Sequence, residues 1–355
     1  MLKNLDIEKI KPTSRGLAIG AVFTALLLAA GAAAAQSQFE NPVPTTISPE
    51  AQAFIRGLKD PSTYPSMPKA TDLEGWRKAQ AAQEERTKPA MDAIRQQYEP
   101  AITGGNYGGV PVLDIRPKGY KLDSRVIVFV HGGGYVMNSA ASSLDGSVPL
   151  ASDTGIRIVS VDYTLAPFAT YRAMLDQVIA VVDALLKDGH QPRNIAMVGV
   201  SAGGGLVAGS ALKMRDQGRK PVAALILWSP ATDLTMQGET VATLRHYEPA
   251  FDVSKMGTML DAVVPLGERK DPYVSPAFGN FSKDYPPTLI QGGTREVLLS
   301  GFVQLYQAID SQSGTAKLDI YEGMVHTFQE IRPDLPESKL ARRKDADFLG
   351  QYLKH

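Results

Sequence analysis

A serine flanked by glycines is the first feature of this sequence that could do chemistry. It lies in the run NIAMVGVSAGGG at 194–205, where apolar residues lead into Gly199, Ser201 and Gly203. At a sharp turn from a strand into a helix, glycines two residues before and two after the serine remove side chains that would clash there. The serine hydroxyl would then stand exposed as a nucleophile. Because the chain has 32 glycines, the pattern alone also fits an ordinary turn.

A second glycine cluster, HGGGY at 131–135, directly follows the apolar run at 125–130. Three successive glycines expose backbone N–H groups, which can stabilise negative charge that develops on a substrate oxygen. Beside a serine nucleophile, a further N–H comes from the residue after the serine, here Ala202. A phosphate-binding loop is the alternative, but the G-x-G-x-x-G spacing is not met and the lysine of a Walker loop is absent.

The base that takes the serine proton must be a histidine, and the chain has five. Four are poorly placed by their sequence context: His131 in the glycine cluster, His190 in a turn before a strand, His246 in an inserted segment and His355 at the last position. His326 remains, in GMVHTF at 323–328, just after the last predicted strand. It is the candidate at the same end of the predicted sheet as the serine.

The acid that orients this histidine should follow a strand between the serine and the histidine, because the chain order in such sites is serine, acid, histidine. The run TLIQGGTRE at 288–296 gives a strand, a glycine turn and then Glu296. Asp271 is the main alternative, since Asp-Pro can start a loop near the site. The acid would accept the histidine N–H, fix its tautomer and stabilise the imidazolium.

The elements that must position these residues alternate between strands and helices from about residue 110 onward. Strands are predicted at 110–115 (an edge strand), 125–130, 155–161, 194–199, 223–228, 288–291 and 317–321, and helices at 170–187, 202–217, 297–310 and 337–354. Apolar strands without alternation indicate a mostly parallel sheet with helices on both faces, an α/β fold. In such a sheet ligands bind outside the carboxyl ends of the strands, where the serine and the glycine cluster lie.

Two segments outside this alternation are predicted to form a helical cap over the site. Residues 36–105 begin with a proline-rich stretch and a short helix at 48–58, and continue with a helix at 71–98 that Pro89 must kink or split. Residues 235–270 interrupt the alternation and have helical character. The predicted domains are therefore a cap segment at 36–105 and a catalytic domain at 106–355 that carries the cap insertion at about 235–270.

The first 35 residues have the pattern of a secretory signal peptide. Lys3, Lys9, Lys11 and Arg15 outnumber the acidic residues, an uncharged run follows at 16–30, and alanines occupy 33–35 before Gln36. A basic region, an apolar region and an A-x-A site together predict cleavage and a periplasmic or secreted protein. An uncleaved membrane anchor is the alternative, although the apolar run is short for a spanning helix. After cleavage we expect no stable membrane insertion.

The overall composition excludes several classes of function. Lysine plus arginine and aspartate plus glutamate number 37 each, and no block of like charge favours a nucleic-acid partner. The chain has no cysteine, which excludes disulfides and thiolate chemistry. The sequence contains no metal-binding constellation, so we expect no metal and no cofactor. The oligomeric state is open, with a homodimer as one option.

Taken together, these motifs make the chain resemble the hormone-sensitive-lipase-like esterases, an H-G-G-G branch of the α/β-hydrolase family. The resemblance covers about 105–350 through HGGGY (131–135), DYTLAP (162–167), GVSAGG (199–204), GTRE (293–296) and GMVHTF (323–328). It implies a catalytic set made of the nucleophile Ser201, the base His326, the acid Glu296 and an oxyanion hole of the Gly132, Gly133 and Ala202 N–H groups. His131 is structural in that family.

The resemblance implies hydrolysis of short- to medium-chain acyl esters through an acyl-enzyme, with a small-molecule ester as the partner. Lactone or amide hydrolysis on the same residues is an alternative, and a non-catalytic binding protein of the same fold is another. The chain departs from the family at three places. Its acid is Glu296 where aspartate is common, Val200 stands where aspartate or threonine is usual, and the sequence after Pro167 is FAT.

Overall fold

In the part of the chain that the computed structural model describes, residues 39–281 and 284–355, eight strands form one sheet. The strands are β1 Ala101–Tyr107, β2 Val110–Arg116, β3 Val126–Val130, β4 Arg157–Val161, β5 Ile195–Val200, β6 Ala224–Trp228, β7 Thr288–Gly293 and β8 Ala316–Tyr321. Their order across the sheet is β1-β2-β4-β3-β5-β6-β7-β8. All neighbours from β4 to β8 are parallel, which confirms the predicted mostly parallel α/β sheet.

The antiparallel edge of the sheet differs from the prediction. The run at 110–115 was expected to be the edge strand, but β1 pairs with β2 from Ala101 opposite Arg116 to Tyr107 opposite Val110. Gly108 and Gly109 form the tight turn between them, with φ of +61° and +85°. Positive φ at both turn residues is the geometry that glycine supplies most easily in a hairpin. The sheet therefore begins inside the segment that was assigned to the cap.

Most of the α-helices of the described chain lie between strands in the sequence. The α-helices are α1 Pro49–Arg56, α2 Leu73–Tyr98, α3 Leu144–Thr154, α4 Tyr171–Lys187, α5 Ala202–Asp216, α6 Glu239–Thr243, α7 Met256–Val263, α8 Leu299–Asp310, α9 Phe328–Ile331 and α10 Pro336–Tyr352. Within the described ranges, no helix combines the length and the apolar character needed to cross a bilayer. The predicted signal peptide lies outside the described residues.

Helices cover both faces of the sheet, as alternate residues of β3 illustrate. Val126, Val128 and Val130 belong to the core that includes α4 and α5. Ile127 and Phe129 belong to the opposite core, which includes α3 and α10. Because successive side chains of a strand point to opposite faces, a strand buried on both sides has no polar alternation. All five residues of β3 are buried, which explains why the apolar run was recognisable.

Helix α2 continues through Pro89, so the proline does not split it. A proline within a helix lacks an N–H and leaves the carbonyl four residues earlier, here that of Glu85, without its helical partner. Both residues are exposed, so water can hydrate that carbonyl. The helix begins after Asp72, whose Oδ1 accepts from the Gly75 N–H at 2.9 Å.

The insertion between β6 and β7 contains only short helices, α6 and α7, joined by irregular segments and 3₁₀ turns. It contacts the N-terminal segment through polar groups. The Tyr64 hydroxyl donates to Pro249 O at 3.0 Å, and Lys255 Nζ donates to Ser62 O at 2.9 Å. The two segments predicted to form the cap are thus in direct contact.

Candidate active site

Ser201 lies at the turn between β5 and α5 with a backbone that few residues adopt. Its φ is +52° and its ψ is −116°. A non-glycine residue at positive φ is strained, and such strain persists only where neighbouring groups hold the backbone. The Ser201 N–H donates to Trp228 O at 2.8 Å, and Ser201 O accepts from the Ala231 N–H at 2.9 Å. The end of β6 therefore fixes the turn that presents the half-buried serine.

The glycines on either side of Ser201 are required by close backbone approach. A Cβ on Gly203 would overlap the carbonyl oxygens of Val130 and His131, and a Cβ on Gly199 would overlap Gly203 O. Helix α5 packs against the ends of β3 and β5 at this point because neither glycine has a side chain. The spacing G-x-S-x-G thus follows from the packing of this turn.

His326 contacts both Ser201 and Glu296. It lies in the loop between β8 and α9, its Nε2 is 2.8 Å from Ser201 Oγ, and its Nδ1 is 2.7 Å from Glu296 Oε2. A carboxylate only accepts hydrogen bonds, so Nδ1 carries the proton and Nε2 is free to accept from the serine. The structure therefore brings the three predicted residues into one hydrogen-bonded chain.

The surroundings of His326 favour its protonated form. Burial lowers the pKa of the imidazole, but the hydrogen bond and charge of Glu296, with the charge of Glu248, raise it by more. The net pKa is therefore raised. The ring is 7% exposed, and the Phe251 ring packs edge-on against it with centroids 5.2 Å apart. The imidazole is thus shielded from solvent and lies beside a negative charge.

Glu296 is fully buried just after β7, and its second oxygen is also bound. Oε1 accepts from Ser229 Oγ at 2.8 Å and from the Gly293 N–H at 2.5 Å. Ser229 Oγ in turn accepts from the Thr327 N–H at 2.9 Å. Sequence reasoning missed Ser229, and the only available signal was its position at the carboxyl end of a buried strand.

The rival acid, Asp271, is engaged elsewhere. Its Oδ2 accepts from Arg172 Nη2 at 2.7 Å, and its Oδ1 accepts from the Tyr273 N–H at 2.8 Å. The carboxylate of Glu296, and not that of Asp271, is the one that contacts His326. The structure therefore resolves the alternative that the sequence left open in favour of Glu296 as the partner of the histidine.

The three predicted oxyanion-hole residues lie at the two turns that meet at Ser201. A Cβ on Gly132 would be 3.2 Å from Ser201 Cβ, and Gly133 has a φ of +108°. Ala202 is the first residue of α5, so its N–H has no acceptor carbonyl within the helix. In the part of the chain that the structure describes, no carbonyl accepts from the N–H groups of these three residues. These N–H groups are available to a ligand oxygen.

His131 has a different environment from His326. Its Nδ1 donates to Gly132 O at 2.8 Å, and its ring stacks on Tyr163 with centroids 4.3 Å apart. Tyr163 Oη donates to His131 O at 3.1 Å. Burial lowers the pKa of this imidazole and keeps it neutral. These contacts fit a role in shaping the glycine cluster.

Two apolar side chains of the cap insertion lie against the site. Besides Phe251 at His326, Met259 of α7 packs over the glycine cluster so closely that a Cβ on Gly134 would be 3.1 Å from Met259 Cε. Among the described residues, no group of histidine, aspartate and glutamate side chains is arranged to hold a metal ion. Phe251 and Met259 therefore give the surroundings of Ser201 an apolar character.

A sequence profile of the alpha/beta hydrolase fold matches residues 127–330 of the chain. An acetyl-hydrolase of Streptomyces hygroscopicus is 28% identical over 268 residues, which are 73% of this chain and 89% of that protein. An esterase of Acinetobacter venetianus is also 28% identical, over 67% of this chain and 82% of that protein.

Crystal structures of two esterases are similar to the chain throughout most of its length. One, named E25, superposes with a TM-score of 0.80 and 26% identity over 88% of this chain and 97% of that one. The other, an esterase from the bacterial hormone-sensitive lipase family, has a TM-score of 0.73 and 26% identity over 86% of this chain and 99% of that one.

Proposed function

The chain belongs to the alpha/beta hydrolase fold family, among its hormone-sensitive-lipase-like esterases, and we propose that it acts through an acyl-enzyme on Ser201. It is a carboxylesterase-like hydrolase. The observation that carries the proposal is the continuous chain from Glu296 through His326 to Ser201, with links of 2.7 and 2.8 Å. The orientation of this chain suits proton transfer from the serine to the histidine.

In the proposed reaction, Ser201 Oγ attacks the ester carbonyl while His326 Nε2 takes its proton. The carbonyl oxygen becomes negative and accepts hydrogen bonds from the N–H groups of Gly132, Gly133 and Ala202. The C–O bond to the alcohol breaks, and the alcohol leaves with the proton from His326. Water then attacks the acyl-enzyme by the same route, which releases the carboxylic acid and restores the serine.

The apolar side chains at the site support esters of short to medium acyl chain as substrates. Phe251 lies at the histidine and Met259 at the glycine cluster, so both limit the room beside Ser201. The similarity to an acetyl-hydrolase points in the same direction. Lactones and amides present the same carbonyl chemistry and are the alternative substrates. Measurement of kcat/KM on a panel of esters of different acyl length, lactones and amides ranks these substrate classes.

Replacement of the nucleophile tests the proposed reaction. With p-nitrophenyl acetate and butyrate, we expect Ser201→Ala to lower kcat by at least about 10⁴-fold, because the acyl-enzyme cannot form. Ser66→Ala, at an exposed serine of the N-terminal segment, is the control and should retain parental rates. A fluorophosphonate should add to Ser201 of the parent, as intact and peptide masses would show. Parental rates in Ser201→Ala would rule out an acyl-enzyme on Ser201, and the absence of an adduct would favour a non-catalytic binding protein.

We also propose that residues 1–35 direct export and are removed, so that the enzyme acts in the periplasm or outside the cell. The basic start, the apolar run at 16–30 and the alanines at 33–35 support this. After expression of the full chain in a bacterial host, the exported protein should have the intact mass of a chain that begins at Gln36. A full-length chain held in the membrane fraction would instead support an anchor.

A further inference from the structure

Polar side chains of α2 bind the turn that directly follows the glycine cluster. Gln80 Nε2 donates to Val136 O at 2.9 Å, and Gln83 Nε2 donates to Asn138 Oδ1 at 2.8 Å. Gln80 also reaches Ala166 O at 3.4 Å, so it connects two loops. These are contacts between side chains of the N-terminal segment and the loop that carries the proposed oxyanion hole.

The neighbouring Glu84 extends this contact toward the start of α3. Its Oε2 accepts from Ser139 Oγ at 2.9 Å, and its Oε1 accepts from Ser142 Oγ at 2.7 Å. Hydrogen bonds to a charged group are stronger than those between neutral groups. Both oxygens of one carboxylate therefore hold the turn at 139–142.

The three side chains share one face of α2 because residues three and four apart lie one above the other on a helix. The helix is attached to the rest of the protein by other residues, since Trp76, Met91 and Ile94 are its buried side chains. These apolar residues pack the helix against the protein, so its attachment does not depend on the polar side chains. The polar face formed by Gln80, Gln83 and Glu84 is directed at the turn after the glycine cluster.

The bound turn is tightly connected to Gly133. The Val136 and Met137 N–H groups both donate to Gly133 O, at 3.1 and 2.9 Å. A Cβ on Gly133 would overlap Met137 O and would lie 3.2 Å from Asn138 Cγ. Asn138 itself has a φ of +68°, a conformation that asparagine tolerates better than most residues. We therefore expect a displacement of Val136 or Asn138 to be transmitted to Gly133 through its carbonyl group and its close contacts.

We propose that Gln80, Gln83 and Glu84 are positioning residues that set the oxyanion-hole loop from outside the catalytic domain. The proposal rests on the proposed function, because it assigns these residues an effect on the transition state. The N–H groups of an oxyanion hole act by their fixed position, and a small displacement weakens them more in the transition state than in the bound substrate. The N-terminal segment would thus contribute to the rate as well as cover the site.

Gln83→Ala is the direct test, with Gln97→Ala as its control. Gln97 is exposed on the same helix, so its replacement changes α2 in the same way without touching the loop. With p-nitrophenyl butyrate we expect Gln83→Ala to lower kcat by about tenfold and to leave KM within about twofold. Gln97→Ala should match the parent in both constants. Parental kcat in Gln83→Ala would overturn the proposal.

A readout specific to the oxyanion separates positioning from a general loss of stability. A trifluoromethyl ketone forms a tetrahedral adduct on a serine, whose oxygen occupies the oxyanion hole. We expect its affinity to fall in Gln83→Ala by about the same factor as kcat/KM. If thermal stability fell while kcat and this affinity stayed parental at a temperature well below unfolding, the contact would be only structural.

A double-mutant cycle with the partner residue completes the test. Asn138→Gly removes the acceptor and tolerates the positive φ, whereas Asn138→Asp keeps the acceptor oxygen. We expect Asn138→Gly to resemble Gln83→Ala, the double variant to be no slower than either, and Asn138→Asp to stay near the parent. Multiplicative losses in the double variant would show that the two residues act independently and would overturn the proposal. If the parent were inactive toward esters, the proposed function itself would fail.

Discussion

Ser229 connects Glu296 with Thr327, the residue that follows His326. Its hydroxyl donates to Glu296 Oε1 and accepts from the Thr327 N–H, next to the histidine. One hydroxyl thereby connects the loop after β7, which carries Glu296, with the loop after β8, which carries His326. A glutamate is one methylene longer than the aspartate common in the family. The oxygen that does not contact His326 therefore needs such partners to hold the carboxylate in one orientation.

Val200, where the family usually has aspartate or threonine, fits its surroundings in this chain. It is fully buried in the core that contains Phe129 and Trp228, on the face of the sheet covered by α3 and α10. A polar side chain at this position would need a buried partner. The departure from the family therefore changes the packing beneath the turn that carries Ser201 and leaves the contact between Ser201 and His326 in place.

Glu248 of the cap insertion is a second buried carboxyl near the catalytic set. Its Oε1 accepts from the Ala250 N–H at 2.9 Å and its Oε2 from the Val297 N–H at 3.3 Å, next to Glu296. Burial raises the pKa of Glu248 to about 7, with Glu296 adding to the effect and His326 opposing it. The charge of Glu248 in turn raises the pKa of His326.

We therefore predict that Glu248→Gln moves the acid limb of the pH–kcat/KM profile to lower pH. The proposed reaction needs His326 in its neutral form, and loss of the negative charge at position 248 lowers the pKa of that imidazole. On the alkaline plateau kcat should stay within about threefold of the parent, because the hydrogen-bonded chain is intact. Glu239→Gln, which removes the same charge from an exposed position of the same insertion, is the control. An unchanged acid limb in Glu248→Gln would contradict the prediction.

At the scale of elements, the sequence predicts the parallel part of the sheet because its strands are buried on both faces. Every residue of the runs VIVFV in β3 and ALILW in β6 is buried, as expected for strands covered on both faces. Strand β1 was missed because its sequence, AITGGNY, is mostly exposed and contains two glycines. It exists as a strand because β2 offers it a partner, which a local pattern does not reveal.

The candidate site was predictable to the extent that it depends on strand ends. The serine, the acid and the histidine follow β5, β7 and β8, and parallel strands bring such positions to one edge of the sheet. Glu248 and the polar face of α2 were not predictable in this way. Their partners lie in distant segments, and a glutamate or glutamine on a helix has the same local sequence whether it faces solvent or a loop.

At the scale of the whole molecule, the described chain contains several buried or half-buried carboxyl groups whose pKa is raised mainly by burial. Asp145 of α3 has its pKa raised to about 7, and that of Glu330 in α9 is well above its usual range, with Asp145 adding to the burial effect. Glu248 and Asp345 are raised in the same direction. The Glu330 Oε1 atom has no hydrogen-bond partner among the described residues. These carboxyls are held protonated at a pH where the unfolded chain would ionise them.

The sign of the effect on stability follows from proton binding. Between the ordinary carboxyl pKa near 4 and the raised values, which are about 7 for Asp145 and Glu248, the folded state binds more protons than the unfolded state, so the free energy of unfolding falls as pH rises. The raised pKa of His326 acts in the same direction at higher pH. The lowered pKa of the carboxylates Asp123, Asp252 and Asp334 acts oppositely, but only at more acidic pH.

We therefore predict that the protein is more stable at pH 5.5 than at pH 8, and that Glu330→Gln reduces the difference. Glutamine has the shape of the protonated acid and cannot ionise, so the Tm of the variant relative to that of the parent should rise by about 5 °C between pH 5.5 and pH 8. Thermal unfolding followed by circular dichroism across this pH range checks both statements. Glu85→Gln, at an exposed position of α2, should reproduce the parental slope. If Glu330→Gln showed that same slope, Glu330 would already be ionised in the folded protein, and the loss of stability with pH would have to come from the other buried carboxyls.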